Sequence, residues 1–248
     1  IKIFLLFDEL NAFKEDLYRS FLKNLNEKTK VDLFFHHFNI IIFEKLIKDS
    51  MGLYTHYVIM PSFFKNTNSF IKNLPSEKVY ILDQMQEDLI QYSSVYQNFN
   101  EIIYSNLNKA SHLIKKYKKL IMIFDNKPSR PEGLLIGFKR FCVDRNYNFS
   151  IIEALEHRGI EKGDLYITID DENLLKILKK IKKINFFLAK DVGLISYNDT
   201  ILKEILEGGI TTISTDFKKM GKALAKIILE KKKVTIENPN DLIVRNSL

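Results

Sequence analysis

Polar residues able to bind ligands or move protons recur in this chain at one kind of place, just after short apolar runs. Asp8 and Asn11 follow KIFLLF (Lys2 to Phe7), His37 and Asn39 follow Val31 to Phe35, Ser62 follows Tyr57 to Met60, and Asp83-Gln84 follow Val79 to Leu82. Farther on, Gln97-Asn98, Asp170, Asn198-Asp199 and Thr215-Asp216 hold equivalent positions. Aromatic residues stand beside these corners: Phe13, Phe38, Phe63, Phe64, Tyr96, Tyr197 and Phe217. Carboxylates and amides hydrogen-bond hydroxyl groups, and ring faces cover apolar C–H surfaces, so this mixture suits a polyhydroxylated ligand. Asp and Asn at a strand end also serve as turn and cap formers. It is therefore the set, and no single member, that points to a binding cleft.

Catalytic signatures are scarce. The chain has no G-x-S-x-G elbow, no G-x-x-x-x-G-K-[ST] loop and no H-E-x-x-H pair. The corner after the first apolar run reads FDELNAF, without the glycines of a dinucleotide site. Asp170-Asp171 admits two readings. It is either a carboxylate pair for acid–base work, or a helix N-cap at Asp171 with Asp170 turned toward ligand hydroxyls. The second is favoured, because a cap carboxylate satisfies the orphan amides of a first turn. Five histidines are present, and His36-His37 stands at a strand end; none has acidic neighbours at metal-ligand spacing. The one cysteine, Cys142, lies among Phe138, Phe141 and Tyr147 at helical spacing and reads as a small core residue. Neither a cofactor nor a metal is expected.

The elements that must hold these corners alternate between strand and helix. Short apolar runs with no alternation read as strands buried on both faces. Between them, Phe13, Leu17, Phe21 and Leu25 recur every four residues, the spacing of one helix face. Ile102 to Ile114, Pro131 to Tyr147, Leu174 to Ile181 and Met220 to Ile228 repeat that pattern. Ser129 is the expected N-cap of the second of these helices, and Asp199 that of a short helix near Leu202. Strands are also expected at Phe149 to Ile152, Leu165 to Ile169, Ile184 to Leu188, Val192 to Ser196, Thr211 to Thr215 and Leu242 to Val244. About ten strands approach the size at which an open sheet divides, so two lobes of parallel sheet fit better than one.

The chain has 248 residues and a formal charge of +7, with 46% hydrophobic and 28% charged residues, as in ordinary globular proteins. Its lysines are spread along helices, where a solvated face accounts for them better than a nucleic-acid surface. No apolar run reaches the ~18–20 residues of a membrane-spanning helix. Ile1 already lies inside an apolar strand, from which a missing upstream segment is expected.

The wording of several stretches matches a known family. VGLISYNDT followed by GITTISTDFKKMGKALAKIIL resembles the signature near the end of LacI/GalR-type effector domains. IKIFLLFDELNAFKEDLY, HYVIMP with KVYILD, GLLIGFKRF, GDLYITIDD and the closing IENPNDLIVRNSL resemble other parts of the same domain, so the likeness spans nearly the whole chain. It implies an α/β protein of the periplasmic-binding-protein-like type I fold. Two similar doubly wound parallel-sheet lobes, joined by about three crossovers, would hold the ligand cleft between them. The expected lobes are residues 1–117 with 216–240 and residues 118–215 with 241–248.

The resemblance also implies a function: a non-enzymatic, effector-sensing domain of a bacterial, cytoplasmic transcriptional repressor. Its partners would be a monosaccharide, DNA through an N-terminal domain absent from this chain, and a second copy in a homodimer, with no membrane. HYVIMPSFFKN and SSVYQNF resemble effector domains of GntR-type winged-helix regulators, which implies L-fucose or L-arabinose as the sugar. The alternative is a periplasmic sugar-binding protein of a transporter. The implied ligand residues are Asp8, Asn11, Phe13, Asp83, Tyr96 and Gln97 in one lobe and Asp170, Asn198, Thr215 and Phe217 in the rest. Two positions depart from the pattern. Leu134 stands where the family carries arginine, with Arg130 one turn earlier as a candidate replacement, and Gln97 stands where the family carries Asp.

Overall fold

The computed structural model describes residues 1–62, 64–125, 127 and 129–248, apart from the side chain of His157; Phe63 lies outside the described residues. The elements run β1 Lys2–Phe7, α1 Ala12–Lys23, β2 Lys30–Phe35, α2 Ile40–Ser50, β3 His56–Ile59, α3 Asn68–Ile71, β4 Val79–Asp83 and β5 Ser93–Tyr96. They continue α4 Phe99–Lys109, α5 Ser111–Ile114, β6 Lys119–Ile123, α6 Glu132–Asp144, β7 Phe149–Ile152, β8 Asp164–Thr168, α7 Asp171–Lys183, β9 Gly193–Tyr197, α8 Ile201–Ile205 and β10 Thr211–Thr215. The last are α9 Phe217–Leu229, β11 Thr235–Glu237 and β12 Asn240–Ile243.

The chain divides into two compact units, residues 1–98 with 216–239 and residues 99–215 with 240–248. It thus passes from one to the other three times. The first sheet has the order β11-β5-β4-β3-β1-β2 and the second β12-β10-β9-β8-β6-β7. The same order is built twice, and the two differ at one edge. There β11 runs parallel to β5 while β12 runs antiparallel to β10.

Alternation along the strands explains the layering. Ile3, Leu5 and Phe7 face a core shared with α1 and α9, and Phe4 and Leu6 face a second core shared with α2. In the other unit Leu120 and Met122 face α4 and α6, whereas Ile121 and Ile123 face α7. A strand covered on both faces must be apolar at every position, hence the unbroken runs KIFLLF and LIMI. Cys142 lies in the α4–α6 core, where burial pushes its thiol up.

In each unit one helix pair approaches closely at glycine. A Cβ on Gly221 of α9 would stand 2.3 Å from the Leu17 carbonyl oxygen, and one on Gly137 of α6 would stand 2.2 Å from that of Asn100. The Gly133-x-x-x-Gly137 spacing is therefore a soluble helix-packing device.

Four expectations need correction. The first unit ends at residue 98 and not 117, because α4 packs on α6 through Gly137 and shares its core. Ile184 to Leu188 is not a strand. α7 runs to Lys183, Ile184 and Asn185 turn the chain, and a lone bridge from Leu188 to Val192 is all the pairing present. Thr235–Glu237, unforeseen, forms the edge strand β11. Finally, Pro131 and not Ser129 occupies the N-cap of α6, without a side-chain bond to the first turn.

Candidate functional site

In both units the polar corners sit at the carboxyl ends of parallel strands, where open α/β sheets take ligands. In the first unit, Asp8 directly follows β1 and is buried. Its Oδ1 accepts the Glu9 N–H at 2.6 Å and the ammonium of Lys14, while Oδ2 accepts the Ser62 hydroxyl at 3.3 Å. Asn11 makes this meeting possible. Its side chain caps α1 by accepting the Lys14 N–H at 3.1 Å, which turns the first helical residues back over the strand end.

Asp83 ends β4 with φ 73°, in the left-handed region. It accepts the Gln97 amide at 2.5 Å, and its own carbonyl accepts the Gln97 N–H at 2.9 Å. Burial pushes its carboxyl up, against the pull of Lys14 and of the Gln97 and Gln84 amides. Gln84 is 6% exposed, and its Oε1 has no hydrogen-bond partner among the described residues. Phe13 and Phe217 stack with centroids 5.1 Å apart. Tyr96 is engaged elsewhere: its hydroxyl donates to Glu237 of β11 at 3.3 Å.

His36 settles what the Ser62 corner can do. Its Nε2 lies 3.1 Å from the Met60 carbonyl oxygen, an acceptor, so Nε2 carries the proton. Burial lowers the pKa of the ring and keeps it neutral, and Nδ1 has no partner among the described residues. A protonated Nε2 cannot take a proton from Ser62 Oγ, 3.5 Å away, so this corner lacks a base–nucleophile pair.

In the second unit Arg130 joins two strand ends. Its Nε donates to Asp125, beyond β6, at 2.5 Å, and a terminal nitrogen donates to Asp170, beyond β8, also at 2.5 Å. Burial opposes the arginine's charge, but the two carboxylates outweigh it and raise its pKa. At Asp125 the upward push of burial is overcome by Arg130 and Lys127, and its pKa falls. Asp170 has two tasks that the sequence pattern had divided between neighbours. Its Oδ1 accepts the Asn173 N–H at 2.8 Å, so Asp170, and not Asp171, is the N-cap of α7.

Asn198 follows β9 with φ 59°, a conformation Asn tolerates better than most residues. It is 9% exposed, and its Oδ1 has no partner among the described residues. The corner is fixed from beneath by Lys203, 2% exposed, whose ammonium donates to the Tyr197 and Asn198 carbonyls at 2.8 Å each and pairs with Asp171 at 2.9 Å. Burial lowers the pKa of Lys203 against the opposing charge of Asp171. Asp199 is not the expected helix cap. Thr200 caps α8, and Asp199 holds Arg245 in a two-point ion pair at 2.7 and 2.8 Å. Thr215 is the buried last residue of β10.

The structure thus brings together Asp83 with Gln97, Phe13 with Phe217, and Arg130 with Asp170. Lys14, Asp125 and Lys203 were not foreseen. Lys14 follows from the Asn11 cap once α1 is placed, and Asp125 is the first acid past LIMIF. Lys203 has no sequence signal, since a lysine at a buried helical position looks like any solvated one.

No protein-family model matches the chain, and no curated protein matches it. Solved structures do match over almost their full length. A LacI family transcriptional regulator from Silicibacter pomeroyi superposes with TM-score 0.83 at 16% identity, over 100% of this chain and 98% of that one. The transcription regulator CcpA of Lactococcus lactis gives TM-score 0.78 at 14% identity, over 99% and 98%. A periplasmic binding protein/LacI transcriptional regulator from Alkaliphilus metalliredigens, complexed with D-xylulofuranose, gives TM-score 0.74 at 14% identity, again over 99% and 98%. At such identities the likeness establishes the fold: two mostly parallel α/β sheets of six strands each, as in LacI-like regulators and periplasmic binding proteins.

Proposed function

We propose that this chain is the effector-sensing domain of a cytoplasmic transcription repressor, and that its effector is a monosaccharide bound by polar residues at the carboxyl ends of parallel strands. The observation that carries this is the set of polar side chains at the carboxyl ends of the parallel strands, many of them buried, which in β1 and β4 follow the wholly apolar, buried runs Ile3–Phe7 and Val79–Leu82. Asp8, Asn11, Phe13, Asp83, Gln97 and Phe217 serve in the first unit and Arg130, Asp170, Asn198 and Thr215 in the second, with Tyr96 at the margin. Carboxylates and amides take the hydroxyls, and the Phe13–Phe217 stack takes a C–H face. Binding regulates only if the sugar favours one conformation of the chain over another. DNA would be contacted by a separate N-terminal domain, in a homodimer. The L-fucose or L-arabinose specificity rests on the GntR-type resemblance alone.

Thermal denaturation against a panel of monosaccharides tests this. A binding sugar raises the melting temperature of the native chain, and the Asp170→Ala/Asn198→Ala double variant loses that rise. An undiminished rise in the double variant rejects the site.

A second reading, a periplasmic sugar-binding protein of a transporter, is favoured by the Alkaliphilus neighbour, a periplasmic binding protein/LacI transcriptional regulator complexed with D-xylulofuranose. The start of the full-length gene separates them: a DNA-binding domain supports the first and a secretion signal the second.

A further inference from the structure

Lysines on helix faces are accounted for by solvation, but seven lysines of the first unit lie outside any α-helix and gather at the amino ends of its strands. Lys2 opens β1, Lys28 and Lys30 lead into β2, Lys78 precedes β4, and Lys231 to Lys233 precede β11. All six strands of this sheet run parallel, so these residues share one rim. At the usual spacing between strands the rim is about 24 Å wide.

The three lysines before β11 are fixed in place. The Ser93 hydroxyl donates to the Lys232 carbonyl at 3.2 Å, the Ser94 N–H donates to the Val234 carbonyl at 2.9 Å, and Lys231 turns the chain at φ 50°. His56, which opens β3, has its pKa lowered by burial and then by the charges of Lys231, the Ile1 amino group and Lys78. Cations that lead into β1, β4 and β11 therefore act on one ring.

Four acids share the rim: Glu27, Asp32, Glu77 and Glu230. Asp32 pairs with Lys2 at 3.6 Å and Glu230 with Lys232 at 2.6 Å. Lys28, Lys30, Lys78, Lys231 and Lys233 form no ion pair among the described residues, and all but the half-buried Lys78 are exposed. Like charges held side by side repel one another, and a polyanion relieves that repulsion.

The spread of these charges decides which polyanion. A small anion needs them to converge on one cavity. The pocket between Ser76, Ser93 and Lys231 to Lys233, which Glu77 also lines, holds about 90 Å³ and engages one end of the rim only. A row of lysine ammoniums, each a point charge on a flexible stem, suits a row of phosphates. Duplex DNA carries a phosphate every ~3.4 Å along each strand, so a rim this wide faces several at once. Since β1 begins at Lys2, an N-terminal DNA-binding domain would join the unit on this same side.

We propose that this rim is a DNA-contacting surface on the sensing domain itself, which binds the phosphate backbone irrespective of sequence through Lys28, Lys30, Lys78, Lys231 and Lys233. The choice of DNA as the polyanion rests on the repressor reading above; the sugar has no part in it. Such contacts position a protein on the duplex and leave base reading to another domain.

The test is fluorescence anisotropy of two labelled duplexes of unrelated sequence, titrated with the 248-residue chain between about 50 and 200 mM salt. Both duplexes are expected to bind with the same affinity, with a slope of log affinity against log salt of about −4. The Lys30→Gln/Lys231→Gln/Lys233→Gln variant is expected to lose about 3 from that slope and to bind at least about tenfold more weakly at the lowest salt. The Lys139→Gln/Lys179→Gln/Lys183→Gln variant removes the same charge from helix faces of the second unit and is expected to bind as the native chain does. All six positions are exposed, so both variants should keep the native melting temperature.

Equal losses in the two variants would trace the binding to diffuse net charge and overturn the proposal. A native chain that binds neither duplex at the lowest salt would overturn it as well, and so would binding through these lysines to phosphatidylserine vesicles with none to DNA. DNA binding through the rim in a chain that no sugar stabilises keeps this proposal and removes the effector reading. A sugar response without DNA binding does the reverse.

Discussion

At the end of its leading strand the first unit closes its ion pair off from water, and at the matching corner the second unit does not. The side chains of Lys14 and Asp8 are 9% and 3% exposed, whereas those of Asp125 and Asp170 around Arg130 are 21% and 22% exposed. The strand order is the same in both units, so topology does not decide the difference. It follows from where each cation comes from. Lys14 lies inside the first turn of α1 and is pressed onto β1 by the helix, while Arg130 precedes α6 and leaves its acids partly hydrated. A dehydrated pair is costly to break because the surviving charge has no water. A hydrated one can exchange a carboxylate for a hydroxyl at little cost. The first corner is thus built for rigidity and the second for exchange.

The largest effect expected from this contrast is on Lys14→Met, which strands the Asp8 carboxylate and lowers stability by about 4 kcal/mol. Arg130→Met leaves two hydrated acids and costs about 1–2 kcal/mol. Urea unfolding of both variants checks the pair, and equal losses would erase the contrast. Next come the glycines. Gly221→Ala and Gly137→Ala each drive a methyl into backbone carbonyl oxygen, and each is expected to cost about 3 kcal/mol by the same assay. Here the units should behave alike, and a well-tolerated alanine in either would show that its helix pair can separate.

The smallest effect is on pH dependence, where the units should differ in sign. Burial raises the pKa of Asp83, so the folded chain holds that proton more tightly than the unfolded one. Its contribution to stability is present at low pH and lost as pH rises above about 4. At Asp199 burial is outweighed by the bonds from Arg245 and Thr212, the pKa falls, and stability is lost as pH drops below about 4. Asp83→Asn should flatten the fall on the alkaline side, and Asp199→Asn the fall on the acid side. Unfolding curves between pH 3 and 8 that move the same way in both variants would contradict this assignment.

Strands buried on both faces were legible because their apolar runs have no other use: KIFLLF and LIMI each fell within a strand. The polar corners were legible as a set for the same reason, since acids and amides interrupt those runs. What escaped depends on distance or on a single residue of register. β11 escaped because an edge strand of three residues beside Lys231 to Lys233 carries too little apolar pattern. INFFL misled because four apolar residues follow a helix closely, and with Ala189 at φ 61° the chain turns there and does not extend. The exchange of roles between Asp170 and Asp171 turns on where α7 begins, which packing decides. The Arg130–Asp170 and Arg245–Asp199 pairs join residues 40 and 46 positions apart, and composition holds no record of them.

The interleaving of the two units has a consequence during synthesis. α1 presents Leu17 and Phe21 to α9, yet 117 residues, 99–215, separate the first stretch of that unit from its return at 216. At 5–20 residues per second, translation leaves that apolar stripe uncovered for roughly 6–23 s. Throughout that interval the first unit lacks α9, and chaperones or nonspecific collapse compete for the vacant face of α1. Residues 216–248 then complete both units together, so a ribosome that stalls before them releases no finished half.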